Sequence, residues 1–178
     1  METATTTMTK TWTLDKAHAK VGFSTVHMLV SDVEGYFSDF DAKLKTTKED
    51  FSDASAEFTA KVSSINTHNE QRDAHLKNAD FFHAEEFPTV EFKSKSFTKT
   101  GDNKYKVDGE LTMHGVTKPV NFDVTGIIGE HPFTKKTIAG FKITGSVKRS
   151  EFGVGHSVPG FVVSDEVKVV ANAEFAGE

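Results

Sequence analysis

The chain contains no cysteine, so no disulfide braces it and no thiolate is available as metal ligand or nucleophile. It has only 4 prolines, 1 tryptophan and 2 tyrosines. No apolar run approaches the ~20 residues a membrane-crossing helix needs. The net charge of −5 is spread over well-mixed positions with no basic stripe, which argues against nucleic acid as a partner. There is no Gly-x-Ser-x-Gly elbow and no His-Glu-x-x-His pair, so neither a serine hydrolase nor a zinc helix is written locally. Phenylalanine, by contrast, is abundant, with 16 residues. Its ring is a large apolar body without a hydrogen-bonding group. A chain that favours it over Tyr and Trp is building an interior with few polar partners. Composition leaves two forms open for that interior: a packed Phe-rich core or an apolar cavity.

A length of 178 residues suits one domain. At that size about 70% of the unfolded surface is buried. Residues 1–11 read as a polar, disordered N-terminal tail, Thr-rich and without the basic start, apolar run and cleavage site of a signal peptide. Residues 12–176 read as the domain. The protein is accordingly expected in the cytoplasm, or in the periplasm if an export segment has been removed.

Along the domain, polarity alternates with period two. Val21, Phe23, Thr25 and His27 share one strand face, and Ala54, Ala56, Phe58, Ala60 and Val62 another. Tyr105 to Met113, Val120 to Val124, Phe141 to Val147 and Val167 to Phe175 give four more such rows. Alternation of this kind marks strands with one buried and one wet face. Gly35 to Leu44 and Val90 to Phe97 alternate less regularly, and Phe37 to Phe40 breaks parity, which predicts a bulge. The residues from Leu111 to Val120 read as two strand ends around a His114-Gly115 corner, with Pro119 expected at a strand start or edge. Gly126 to Lys136 reads as the most loop-like insertion.

Asn69 to Phe82 resists the strand reading. It lacks Gly and Pro, can be capped by Thr67 or Asn69, and places Arg72 with Leu76 and Asp73 with Lys77 at helical spacing. A shorter helical piece is expected around Ser150 to Phe152. About eight strands with one or two short helices fit a mainly β fold, an eight-stranded antiparallel barrel, which either fills with its own side chains or holds one small ligand.

The ordered motifs narrow this further. Trp12-Thr13-Leu14-Asp15, His18, Val21, Phe23 and His27 come first, then Gly35, Phe37 and Phe40. Arg72-Asp73-Ala74-His75-Leu76, Asp80-Phe81-Phe82 and Phe87-Pro88-Thr89-Val90-Glu91-Phe92 follow. His114-Gly115-Val116-Thr117-Lys118-Pro119, Arg149, Phe152-Gly153 and Asp165-Glu166-Val167 complete the set. In this order the chain resembles the YceI-like family from about Trp12 to Phe175. Ala19 stands where that family usually has Ser, and Thr25 where it often has Val. The resemblance implies a lipocalin-like barrel that binds polyisoprenoids or other long-chain lipids without a cofactor, without catalysis and without a metal. It also implies a homodimer.

Strand parity and the resemblance together select Val21, Phe23, Phe37, Phe40, Phe81, Phe82, Phe92, Met113, Phe122, Phe141 and Phe152 as ligand-lining residues. His27 is expected to point a polar ring into the barrel, either to a neighbouring strand or to a quinone or amide head group. Arg72 and His75 either meet a ligand head group or, in the case of Arg72 with Asp73, tie the helix to a strand end. The helix is expected to act as a lid, with Phe81 and Phe82 plugging the mouth. Two other functions are compatible with these residues: a stress-response barrel with a filled core, and a hydrolase or isomerase acting on lipids.

Overall fold

The computed structural model of the protein describes residues 8–177. Its strands are β1 (Lys10–His27), β2 (Ser31–Phe37), β3 (Phe40–Thr46), β4 (Ser55–Lys61), β5 (Ile65–Asn66), β6 (Thr89–Gly101), β7 (Lys104–Met113), β8 (Val116–Glu130), β9 (Thr137–Lys148) and β10 (Glu166–Gly177). All pair antiparallel with neighbours, and β10 closes back onto β1. Short strands fuse end to end. The two halves of β1 pair with β2 and β3 in turn, and β2 pairs with β5 beyond the end of β4. The ten segments therefore make an eight-stave closed barrel, as the alternation predicts.

Three places where hydrophobic parity fails are three places where the ladder slips. Leu14 and Val21 both face inward because the register of β1 against β10 shifts between Asp15 and Lys20. Phe37 and Phe40 both face inward because the strand breaks at Ser38 and Asp39, where the bulge was expected. Phe92 and Phe97 do so across a shift between Ser94 and Ser96. An extra residue inserted in a pleat flips the side-chain sequence to the other face.

Some expectations need correction. Lys10 and Thr11 already belong to β1, while residues 1–7 of the expected tail lie outside the described residues. Gly126 to Glu130 is strand rather than loop, because β8 pairs β9 out to Glu130–Thr137. The loop there is only residues 131–136. Helix α1 is Glu70–Lys77, shorter than expected. Asn69 caps it by accepting from Arg72 N, and the chain turns at Asn78 to bury Phe81. Pro119 is the fourth residue of β8, where that strand pairs β7 alone; the ladder to β9 starts at Asp123. The His114-Gly115 corner joins β7 to β8 directly, with positive φ at both residues (52° and 72°). That is the form a two-residue hairpin turn requires.

The barrel's two ends differ. The lower end is closed by residues 47–54, which fold Phe51 inward to 1% exposure. Its ring meets Trp12 at 5.1 Å and Phe141 at 5.3 Å between centroids. Tyr105 Oη donates to Asp50 O at 2.7 Å. Asp53 locks the loop: it accepts from Thr46 Oγ1 at 2.7 Å, Thr47 N at 3.0 Å, Lys48 N at 3.1 Å and the Thr47 hydroxyl. Burial alone would raise the Asp53 pKa, but these donors outweigh it and hold the carboxyl well below the usual range. A depressed folded-state pKa contributes stability that is present above the ordinary carboxylate value of about 4 and lost as pH falls below it. Asp53→Asn should therefore cost about 1 kcal/mol near neutral pH, a figure discounted for the exposure of the side chain. Acid titrations followed by circular dichroism should show wild type and variant converging below about pH 4.

Candidate lipid cavity

Between the plug and the upper rim lies a cavity of about 640 Å³. Its wall includes Val21, Phe23, His27, Phe37, Phe40, Arg72, His75, Phe81, Phe82, Phe92, Met113, Phe122 and Phe141, all expected there. Phe152 is not in the wall. It is fully buried in the apolar cluster behind it, with Val62, Phe81 and Val154, because it belongs to a 3-10 turn (Arg149–Phe152) rather than to an inward strand face. Leu14, Leu44, Val107, Leu111, Val124, Ile143, Val147, Val167, Val169, Ala171 and Phe175 extend the wall. Most of these are rows read from strand parity.

The wall stays open because its phenylalanines lie over glycines. A Cβ on Gly35 would come within 2.5 Å of Phe23 Cζ, on Gly126 within 2.7 Å of Phe141 Cε1, and on Gly145 within 2.5 Å of Phe122 Cδ1. Phe23–Gly35 and Phe141–Gly126 are direct cross-strand partners. Each ring occupies space that a side chain on the neighbouring strand would fill, so it lies along the sheet instead of crossing the lumen.

The polar groups gather at the upper end. His27 is exposed at the tip of β1, not a buried ring as parity suggested; the strand ends there, so its side chain reaches the mouth. Arg72 and Asp73 both turn to Thr67, which is 3% exposed. Arg72 Nε donates to Thr67 Oγ1 at 2.8 Å and Nη2 to Thr67 O at 2.7 Å. Asp73 Oδ1 accepts from Thr67 N at 2.9 Å and Oγ1 at 2.5 Å. Asp73 is thus engaged inward, not across the helix with Lys77. These bonds tie α1 to the end of β5, since no residue of the helix is buried. His75 is exposed, 3.3 Å from Asp80 and edge-on to Phe81. A shallower hollow of about 350 Å³, lined by Asn69, Gln71, Arg72 and His75, shares two residues with the main cavity.

Arg149 carries the other side of the rim. It is 5% exposed and has a carbonyl for every donor: Ser164 O from Nε, Val154 O and Gly155 O from Nη1, Val158 O and Val163 O from Nη2. Sequence reading noted Arg149 only within the family motifs. The segment that follows, residues 153–164, makes turns rather than a strand ladder, and the guanidinium takes up carbonyls that those turns mostly leave free.

Among the described residues, one group brings three potential metal ligands together: Asp15, His18 and Glu174, on the barrel's outer face. The sequence alone does not unite them, because they meet only where the barrel closes β10 onto β1, with Asp15 paired directly to Glu174. His18 Nδ1 lies 2.8 Å from Asp15 Oδ2 and 3.9 Å from Glu174 Oε2. The hydrogen bond lowers the Asp15 pKa and raises that of His18.

The two arginines should behave differently. Arg149→Lys keeps the charge but supplies three donors to five carbonyls. It should cost about 3–5 kcal/mol, lowering Tm by about 10 °C. Arg72→Ala removes two hydrogen bonds at a half-exposed helix and should cost only about 1–2 kcal/mol. Differential scanning fluorimetry of the two variants checks the order.

Comparison with known proteins agrees with this architecture. A curated relative, the UPF0312 protein SA2479 of Staphylococcus aureus, is 36% identical over 170 residues, which is 93% of this chain and 96% of that one. The crystal structure of Burkholderia cenocepacia BcnA superposes with a TM-score of 0.80 at 27% identity, covering 90% of this chain and 98% of that one. A polyisoprenoid binding domain from Saccharophagus degradans superposes with a TM-score of 0.68 over 94% of this chain and 98% of that one. At 13% identity it speaks to the fold alone. The YceI-like domain matches residues 12–175, and the chain belongs to that family.

Proposed function

We infer that this barrel binds a long isoprenoid or fatty-acyl lipid non-covalently and sequesters or carries it, without a cofactor and without chemistry on it. The observation that carries this reading is the cavity of about 640 Å³ walled chiefly by Phe, Val, Leu, Ile, Ala and Met. A filled core, the alternative interior, would leave no such space. Ligand cavities run about 300–1,000 Å³. The S. degradans domain of like fold is described as polyisoprenoid binding, which supports the same class here. A non-catalytic role fits the polar groups of the rim. Arg149 has spent its donors on carbonyls, and the Thr67 hydroxyl is held between Asp73 and Arg72. Arg72 Nη1 forms no protein hydrogen bond among the described residues and is the group best placed for a carbonyl or phosphate head.

At about 0.3 kcal/mol per heavy atom, a tail of about forty carbons reaches roughly 12 kcal/mol, near nanomolar affinity. A ligand held so tightly survives purification. Native mass spectrometry should show a lipid adduct that organic extraction removes and added prenyl quinone restores. Extracts empty of long-chain lipid, with no binding of added quinone, would overturn the reading. Gly145→Ala sharpens the test. Its Cβ would displace the Phe122 ring toward the lumen, so quinone affinity should fall by a larger factor than in a variant of equal stability altered on the outer face. The overpacking itself costs about 1–3 kcal/mol.

Access lies most easily at α1. The helix buries no residue, whereas the 153–164 segment opposite is fastened by Arg149. Lids come from the least stable parts of a fold. Hydrogen exchange should therefore slow more over residues 69–82 than around Phe122 or Val169 when the cavity is loaded. Equal protection in both states would make the helix a fixed part of the scaffold.

A further inference from the structure

The turn between β1 and β2 breaks the rule that its neighbour obeys. Met28 and Leu29 occupy its centre with φ of 49° and 64°, and Val30 N donates to His27 O at 3.1 Å. Positive φ at both central residues calls for Asn, Asp or Gly. Bulky unbranched or γ-branched side chains there strain the backbone. The His114-Gly115 turn on the same end of the barrel uses a suitable pair. Phe51, His68, His83 and Lys135 also take positive φ, but singly; among the described residues only Met28-Leu29 places two consecutive non-glycine residues there. The tip is also exposed where a folding argument would bury it: Met28 is 52%, Leu29 75% and Val30 84% accessible.

A second apolar group stands beside it. Met28 N donates to Val162 O at 3.0 Å, and His27 bridges to Val163. Phe161, 57% exposed, directly precedes Val162 in that same turn. Together these side chains form one apolar crest. His27, Val162 and Val163, which anchor the crest, also line the cavity. The crest is therefore the outer lip of the cavity mouth.

We propose that this lip docks the barrel onto the surface of a lipid bilayer, with the cavity mouth facing the membrane. The bilayer, rather than a second copy, fits the observations. Four side chains fall far short of the roughly 20–30 residues that each partner contributes to a stable protein interface. They match the shallow insertion of apolar groups to the headgroup boundary. A second copy seated on the lip would also close the mouth. No Lys or Arg occurs in residues 28–32 or 156–164, so the docking rests on apolar insertion and needs no anionic lipid. A backbone held in strained turns to show apolar groups to solvent is explained if those groups leave water when the protein works.

The test uses delipidated protein and large unilamellar vesicles of phosphatidylcholine, with bound fraction read by flotation. Wild type should float with the vesicles, with little change between low and high salt. Leu29→Asp combined with Phe161→Asp should lower the partition coefficient at least ~10-fold. Ile127→Asp combined with Phe133→Asp, equally apolar and exposed but at the opposite end, should leave it unchanged. Met28→Asn with Leu29→Gly guards against misfolding. It installs the residues the turn prefers, so Tm should rise while partition falls. Failure of wild type to float, equal flotation of the lip and control variants, or a lip variant that changes only the oligomeric state in size-exclusion chromatography would overturn the proposal. Flotation reads attachment to the vesicle and not occupancy of the cavity, so its failure would leave the reading of the cavity standing, and loss of quinone binding would leave the docking standing.

Discussion

Phenylalanine rings lying over glycines keep this barrel hollow, and most of the structure follows from that contact. An eight-stranded barrel is narrow enough to be filled by its own side chains. Here the aromatic groups are spread along the wall, because Gly35, Gly126 and Gly145 leave room for Phe23, Phe141 and Phe122 on adjacent strands. The abundance of Phe and the scarcity of Tyr and Trp thus have one cause. A ring with a hydroxyl or an N–H would need a partner in a wall whose backbone groups are already paired. The cost is that glycine weakens strands, and the closed ladder of paired neighbours offsets it.

The same economy divides the molecule along its axis. The lower end spends its aromatics on closure: Phe51 packs edge to face with Phe141 and tilted against Trp12, and Asp53 gathers the loop's donors. The upper end is held by polar contacts instead. Thr67, buried and bonded by both Arg72 and Asp73, fixes a helix that buries no residue fully and whose apolar contact is the half-buried Leu76. Arg149 fixes the loop opposite by replacing the missing backbone ladder with a single guanidinium. Hydrogen bonds between half-exposed groups exchange with water more readily than buried rings separate. One end is consequently rigid, and the helix side of the other is the natural place to open.

The barrel and the greater part of its lining were legible in the sequence, because period two converts directly into an inward or outward direction. Where a row was regular, as from Tyr105 to Met113, burial followed it. The expectations that failed did so at specific physical points. His27 obeyed parity but stood at a strand end, where a face no longer implies burial. Phe152 matched a motif but sat in a 3-10 turn, outside the reach of strand parity. The helix ended early because burial of Phe81 outweighed propensity over the last turn. Arg149 and the Asp15–His18–Glu174 group were illegible for a different reason: their partners are backbone carbonyls or the distant strand that closes the barrel, and neither leaves a local pattern.

The distribution of polarity also bears on what such a cavity can discriminate. On the proposed reading, each methylene buried along the wall contributes ~0.8 kcal/mol before the costs of ordering. The mouth offers at most a few hydrogen bonds, each worth about 1–1.5 kcal/mol net. Arg149 adds little to that number, since its five donors already face carbonyls and its charge is solvated by their dipoles. Arg72 retains one nitrogen for a ligand, at a site open to water. A difference of two isoprene units in the tail therefore outweighs the exchange of one head group for another. On that reading, selection in this barrel would rest on the length and shape of the tail, and the head group would set orientation.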